Sequence, residues 1–184
     1  MFLIELLWER YSKRKRGGIH MNLYMTSGTP EFMQSIKKKY PNEELFLLHG
    51  TGNSVLIHET SSKTVFQVPR NYEILESAGQ FSHKGYFVLQ HIPISDEGKS
   101  IFEHKYTNLS PTVQNEPGFI ALRVLKPIKS DTYIILSEWS GPSSYEVWEK
   151  SVNLDFSMVA DKQNLFTSAP YISTYQSIEE EEAF

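Results

Sequence analysis

The spacing of apolar residues divides residues 21–178 into short strands and helices arranged in two blocks. In the first block, Thr29 and Pro30 predict a helix start, because Thr is a good N-cap and Pro is favoured at the first helical position. Residues 50–53 (GTGN) separate two apolar runs and predict a hairpin. The first block is predicted to contain a strand at 22–26, a helix at 30–40, strands at 45–48, 55–57 and 64–68, and a short helix at 72–78 that ends at Gly79.

The second block has a clearer pattern, which predicts the fold class. It is predicted to contain a strand at 86–94, a helix from 95 to 106, a turn at 115–118, strands at 119–127 and 132–139, a helix carrying Tyr145 and Trp148, and a strand at 170–176. The order β-α-β-β-α-β is that of ferredoxin-like domains. We therefore predict an α+β fold in which a ferredoxin-like antiparallel sheet domain at 85–178 follows a smaller N-terminal α/β extension at 21–80. One sheet face takes the helices, and the other needs cover from a partner sheet or from the first block.

The two ends of the sequence differ from the body. Residues 1–20 have an apolar start and then a basic run, the reverse of a secretory signal, and the apolar part is far shorter than the roughly 20 residues that span a bilayer. We interpret them as an extension that is disordered or that reflects a misassigned start upstream of Met21; a membrane-surface helix is the alternative. Residues 179–184 are predicted to be an acidic tail.

Composition limits the classes of partner and of chemical site that we expect. The net charge of -4 gives no reason to expect nucleic acid or an anionic membrane as a partner. The absence of cysteine excludes a disulfide framework, a thiolate metal site and a cysteine nucleophile. It also fits a reducing compartment, so we expect a cytoplasmic protein that does not associate with membranes.

Three side chains are candidates for chemistry, each with a plainer alternative. Trp148 lies on a helix predicted to face the sheet, where a tryptophan is usually part of the core. His91 lies on an alternating strand and is either a satisfied polar residue or a metal ligand through neutral imidazole. Met158, ten residues after Trp148, is either a packing residue or a thioether ligand.

Several phrases resemble one protein family in order and spacing. NEPGFIALRVLKP (115–127), SDTYIIL (130–136) and SYEVWEKS (144–151) resemble the antibiotic biosynthesis monooxygenase family, and VLIHET (55–60) and PYISTY (170–175) extend the match. The resemblance is closest to the two-domain haem-degrading monooxygenases of Bacillus (HmoB type), and the signal-transduction protein TRAP forms a related branch. It implies a dimeric α+β barrel, built either by a homodimer or by a pseudo-dimeric monomer.

The resemblance also implies a function and its residues. Haem-degrading members carry a helix Trp, which corresponds to Trp148, a strand Asn that falls on His91 by ungapped counting, and an iron-ligating His that falls on Met158. The implied function is a haem-binding, haem-degrading monooxygenase that releases iron and takes electrons from a reductase. Its catalytic site departs from the family's pattern. In it, Trp148 distorts the ring, His91 is the polar or metal-ligating contact, and Met158 is a cofactor-binding residue. The alternative is a non-enzymatic, TRAP-like stress or signalling protein.

Overall fold

The computed structural model describes residues 21–152 and 165–177, and its strands close into one barrel. The predicted residue Met158 and the predicted termini at 1–20 and 179–184 lie outside these ranges. The strands are β1 (Asn22–Gly28), β2 (Leu45–His49), β3 (Ser54–Thr60), β4 (Arg70–Gly79), β5 (Gly85–Pro93), β6 (Phe119–Pro127), β7 (Thr132–Trp139) and β8 (Tyr171–Ser177). The helices are α1 (Pro30–Lys39), α2 (Asp96–Tyr106), the short α3 (Ser110–Val113) and α4 (Pro142–Val152).

The strand order shows how one chain closes the sheet. Around the barrel it runs β1-β3-β2-β8-β5-β7-β6-β4, with every neighbouring pair antiparallel. The first half (β1–β4) has the order β4-β1-β3-β2, and the second half (β5–β8) has the same order, β8-β5-β7-β6. The α+β class and the ferredoxin-like pattern are thus confirmed, and the sheet forms a barrel. The division into subdomains at 21–80 and 85–178 stays a prediction.

Alternation along the strands sorts the apolar residues into three groups. The barrel core is formed by inward-facing residues of seven strands: Leu23, Met25, Phe46, Leu48, Val55, Ile57, Tyr72, Phe87, Leu89, Leu125, Ile134 and Leu136. Outside the second half, α2, α3 and α4 pack on the sheet in a layer centred on Phe102, Tyr133, Trp139 and Trp148, here called the second-half layer. Outside the first half, α1 and Phe66 pack on Leu45, Leu47 and Leu56, here called the first-half layer. The sheet therefore has one shared interior face and two separate outer layers.

The helices that follow β1 and β5 both begin after a capping residue, as the sequence predicts. Thr29 Oγ1 accepts a hydrogen bond from the Phe32 amide, and Ser95 Oγ accepts one from the Gly98 amide. These caps satisfy amides that have no partner within the helix. Three lysines (37–39) in the last turn of α1 face the negative end of the helix dipole and add to its stability.

Two predicted elements are wrong. Residues 72–78 form part of strand β4, which pairs with β1 on one side and β6 on the other. A bulge between Ile74 and Glu76 breaks the alternation and produces an apolar run with helical spacing. Gly79 has a positive φ of 65°, as at a helix C-cap, but it lies where the strand passes close to the Ile120 carbonyl. Residues 64–68 are not a strand: Thr64 Oγ1 accepts from the Phe66 amide in a local turn that turns Phe66 into the first-half layer.

Candidate functional site

The tryptophan that the sequence singled out lies at the centre of the second-half layer. Trp148 is 1% exposed, and its ring lies 5.2 Å from that of Trp139 and 6.2 Å from that of Tyr145, measured between centroids. Trp139 donates its indole N–H to Ser137 Oγ at 2.9 Å. The indole nitrogen of Trp148 has no hydrogen-bond partner among the described residues. The ring is therefore packed as a core residue, and its buried N–H has no acceptor among the described residues.

A short chain of polar contacts runs beside this tryptophan. Gln90 Nε2 donates to Tyr145 Oη at 2.9 Å, and Tyr145 Oη donates to Glu149 Oε1 at 2.8 Å. Burial, with a further contribution from Glu149, raises the pKa of the Tyr145 phenol, so this group stays protonated at neutral pH. Gln90 is 3% exposed, and its Oε1 has no partner among the described residues. Within the described part of the chain, Gln90 Oε1 and the Trp148 indole N–H are thus an acceptor and a donor without partners beside the same layer.

His91 faces the opposite side of the sheet. On β5, Val88 and Ile92 point into the second-half layer. Phe87 and Leu89 point into the barrel core. His91 is two residues after Leu89 and therefore lies on the same face of the strand, towards the barrel core. The structure therefore does not bring His91 together with Trp148. Ungapped counting selected a residue one position past the one that faces the helix, which is Gln90. The sequence places Gln90 and His91 on opposite faces of the strand, but residues 86–92 are apolar on both faces and do not indicate which face packs against the helix.

The surroundings of His91 are those of a neutral, packed imidazole. Its ring stacks on Tyr171 at 4.3 Å with an interplanar angle of 8°, and Nε2 lies 3.1 Å from Ser173 Oγ. Burial, with a smaller effect from the positive charge of Arg70, lowers the pKa of His91 to about 4. These contacts place His91 at one end of the barrel, where it closes the interior.

The remaining histidines of the described ranges lie elsewhere and do not form a metal site. His58 bonds Thr64 Oγ1 and Glu43, at 3.1 and 3.2 Å, and burial lowers its pKa. His49 pairs with Ser54, His83 stacks on Phe46, and His104 is exposed on α2. Within residues 21–152 and 165–177, no group of three His, Asp or Glu side chains could hold a metal ion.

The other end of the barrel holds buried charge. Arg123 is 5% exposed; it donates from Nε to Glu59 at 2.8 Å and from its guanidinium to the Ala78 and Gly79 carbonyls. The fully buried carboxylate of Glu138 accepts from the backbone amide of Ser82 at 2.8 Å and from its hydroxyl at 2.6 Å. Burial raises the pKa of Glu138. Arg123 and Glu138 are thus paired with another side chain or with backbone, and these contacts stabilise the strand ends and the 80–84 connection.

Comparison with known proteins gives the family. Residues 85–154 match the antibiotic biosynthesis monooxygenase family. The signal transduction protein TRAP of Staphylococcus aureus (strain USA300) is 30% identical over 129 residues, which are 70% of this chain and 77% of that protein. The chain belongs to the antibiotic biosynthesis monooxygenase family, with TRAP proteins among its relatives. The family expected from the sequence is thereby confirmed.

Solved structures show the same architecture in other members. The structure of a major regulator of staphylococcal pathogenesis has a TM-score of 0.78 and 25% identity, and the match covers 86% of this chain and 99% of that one. The haem-degrading enzyme LmHde of Listeria monocytogenes has a TM-score of 0.70 and 21% identity, and covers 85% and 99%. The likeness to LmHde concerns the fold. None of the helices in the described part of the chain is long and apolar enough to cross a membrane.

Proposed function

We propose that this chain is a non-enzymatic stress or signalling protein of the TRAP type, which keeps the family's barrel but does not degrade haem. One observation carries the proposal: among residues 21–152 and 165–177, the helix-facing side of the second half presents Trp148, Gln90 and Tyr145 but no imidazole, because His91 points into the barrel. The relative with 30% identity, which is named a signal transduction protein, supports the same reading.

The donor set of this layer does not fit haem. Proteins hold haem iron through His, Cys thiolate, Met with His, or Tyr. Cysteine is absent from the sequence, and each histidine of the described ranges is engaged or directed elsewhere. The Tyr145 phenol donates to Glu149, and its raised pKa opposes the phenolate that iron would require. Residues 149–164 contain no histidine, so a shift of register around Met158 does not supply one.

A second candidate is the haem-binding, haem-degrading monooxygenase, with iron as a product and a reductase as the electron donor. It is favoured by the unpaired Trp148 indole N–H and the unpaired Gln90 Oε1, because buried polar atoms without partners are uncommon and often belong to a site. In this candidate, Trp148 and Gln90 would contact the ligand, and the proposed metal contact at His91 would require the strand to turn over.

Titration of the full chain with haemin separates the two candidates. We expect no stoichiometric shift of the Soret band, and no loss of haem absorbance above the protein-free rate when ascorbate is added. Met158→His restores an imidazole at the family's position, and is expected to give 1:1 binding if that missing ligand is the cause. His91→Gln tests the metal-ligand prediction directly.

A saturable 1:1 Soret shift in the unmodified chain, followed by reductant-dependent loss of the band, would overturn the non-enzymatic proposal. Loss of that binding in Trp148→Phe would place haem in the second-half layer, and loss in His91→Gln would place it at the barrel end. Circular dichroism of each variant shows whether the fold is retained.

A further inference from the structure

An open cleft lies on the first half, away from the tryptophan layer. It has a volume of about 500 Å³ and lies between α1 and residues 65–68. Phe32, Ile36, Tyr40 and Phe66 give it apolar and aromatic walls. This volume falls within the roughly 300–1,000 Å³ typical of small-molecule sites.

The topology explains why the cleft is open. In the second half, α4 follows the third strand and covers the outer sheet face with Trp148. In the first half, the equivalent connection between β3 and β4 is the irregular segment 61–69, which places Phe66 on the sheet but forms no helix. The space that a second helix would occupy is therefore left between α1 and this segment.

The cleft exposes apolar surface that the rest of the structure does not cover. Phe32 is 60% exposed and Val68 is 90% exposed, and both line the cleft. Large apolar side chains exposed together are typical of binding sites. A ligand with an apolar body would remove this surface from water.

The charge at the rim of the cleft indicates that the head group of such a ligand is an anion. Lys39 lines the cleft and extends over the Tyr40 ring at 5.4 Å, and no carboxylate lies within salt-bridge distance of it among the described residues. The residues that line the cleft include no Asp or Glu. The local charge is therefore positive, although the whole chain carries a net charge of -4.

We propose that this cleft binds a small amphipathic anion, of the class of fatty-acid carboxylates, with its chain between α1 and Phe66 and its head group on Lys39. Ligand binding in this cleft does not depend on whether haem binds in the second-half layer. The Thr26 hydroxyl also lines the cleft, whereas the Ser35 hydroxyl donates to the Phe32 carbonyl at 2.7 Å.

Isothermal titration of the full chain with laurate, below its micelle concentration, tests the proposal. We expect 1:1 binding, which Lys39→Gln weakens about fivefold, the effect of losing one solvent-accessible ion pair. Lys38→Gln is the matched control, because Lys38 is an exposed neighbour of the same charge that does not line the cleft. Dodecanol, which has the chain without the charge, should bind equally to Lys39→Gln and to the unmodified protein.

A second variant tests the location. Ser35 is exposed and lines the cleft, so Ser35→Trp should fill the space and abolish laurate binding without lowering the melting temperature. The proposal is overturned if laurate does not bind, if Ser35→Trp binds it normally, or if Lys38→Gln weakens binding as much as Lys39→Gln. It is also overturned if sedimentation shows a dimer that Val68→Lys dissociates, because a second copy would then close the cleft.

Discussion

The buried imidazole of His91 makes stability depend on pH in a predictable direction. Its pKa lies at about 4 in the folded chain, against 6.5 for a free histidine. A group with a lowered folded pKa favours folding above its unfolded pKa, and this contribution is lost as pH falls from 6.5 towards 4. The unfolded chain binds a proton there in that window, whereas the folded chain does not.

The size of the effect follows from the two pKa values. Between pH 7.5 and pH 5, full linkage lowers the free energy of unfolding by about 2 kcal/mol. Tyr171, the stacking partner of His91, is 55% exposed, so solvent reaches the rim of this site and screens the charge. We therefore expect a loss of about 1–2 kcal/mol from His91.

Urea unfolding followed by tryptophan fluorescence at pH 7.5 and pH 5 measures this loss. His91→Gln should be less stable at pH 7.5 because it loses the ring stack, but its stability should fall less at pH 5. His104→Gln is the control for the loss of one histidine, because His104 is exposed on α2. An NMR titration that gives the His91 ring a midpoint near 6.5, or equal pH dependence in His91→Gln and the unmodified chain, would refute the reasoning.

Three further predictions concern packing and charge, and urea unfolding measures each of them. Trp148→Ala should lower the free energy of unfolding by about 3–5 kcal/mol, because it empties a fully packed position; a loss under 1 kcal/mol would contradict the packing described. Burial raises the pKa of Glu138, so its contribution to stability is present below 4.5 and is lost as pH rises through the raised folded pKa; Glu138→Gln should remove this decline, and an unchanged decline would contradict it. Gly79→Ala should cost more than Gly52→Ala: both have positive φ, but only at Gly79 would a Cβ collide with the Ile120 carbonyl, so equal losses would exclude that collision.

Most of the second half is predictable from sequence, because local and non-local signals agree there. The strands β6 and β7 pair with each other, are flanked by turn residues and consist mainly of apolar residues, and their predicted bounds match the structure. The N-caps Thr29 and Ser95 likewise fix where α1 and α2 begin. In these segments each residue's propensity favours the element that packing also favours.

Errors occur where a contact distant in sequence decides the structure. Strand β4 pairs with β1 and β6, and no pattern within residues 70–79 indicates these partners. The adjacent apolar residues Ile74 and Leu75 at its bulge produce a spacing that resembles that of a helix.

The placement of His91 differs from the expected one for another reason, since alignment by counting carries no information about which face a strand residue takes. A shift of one residue exchanges the faces of a strand, and so exchanges Gln90 for His91. Residues 86–89 are apolar on both faces, so the sequence does not indicate which face packs against the helix.

The packing of the barrel decides where this protein can recognise a ligand. The interior is filled by residues such as Leu23, Phe87 and Leu136, and the His91 stack and the Arg123–Glu59 pair occupy its ends. A cleft of about 190 Å³ lies at the end that carries Arg123 and Glu59. The cleft of about 500 Å³ is larger and lies on an outer layer. The second-half layer is filled by its own indole and phenol rings, and a ligand entering there would have to displace them. The first half has no second helix between β3 and β4 and keeps its cleft open, so a ligand can enter there without displacing the rings of the layer that contains Trp148.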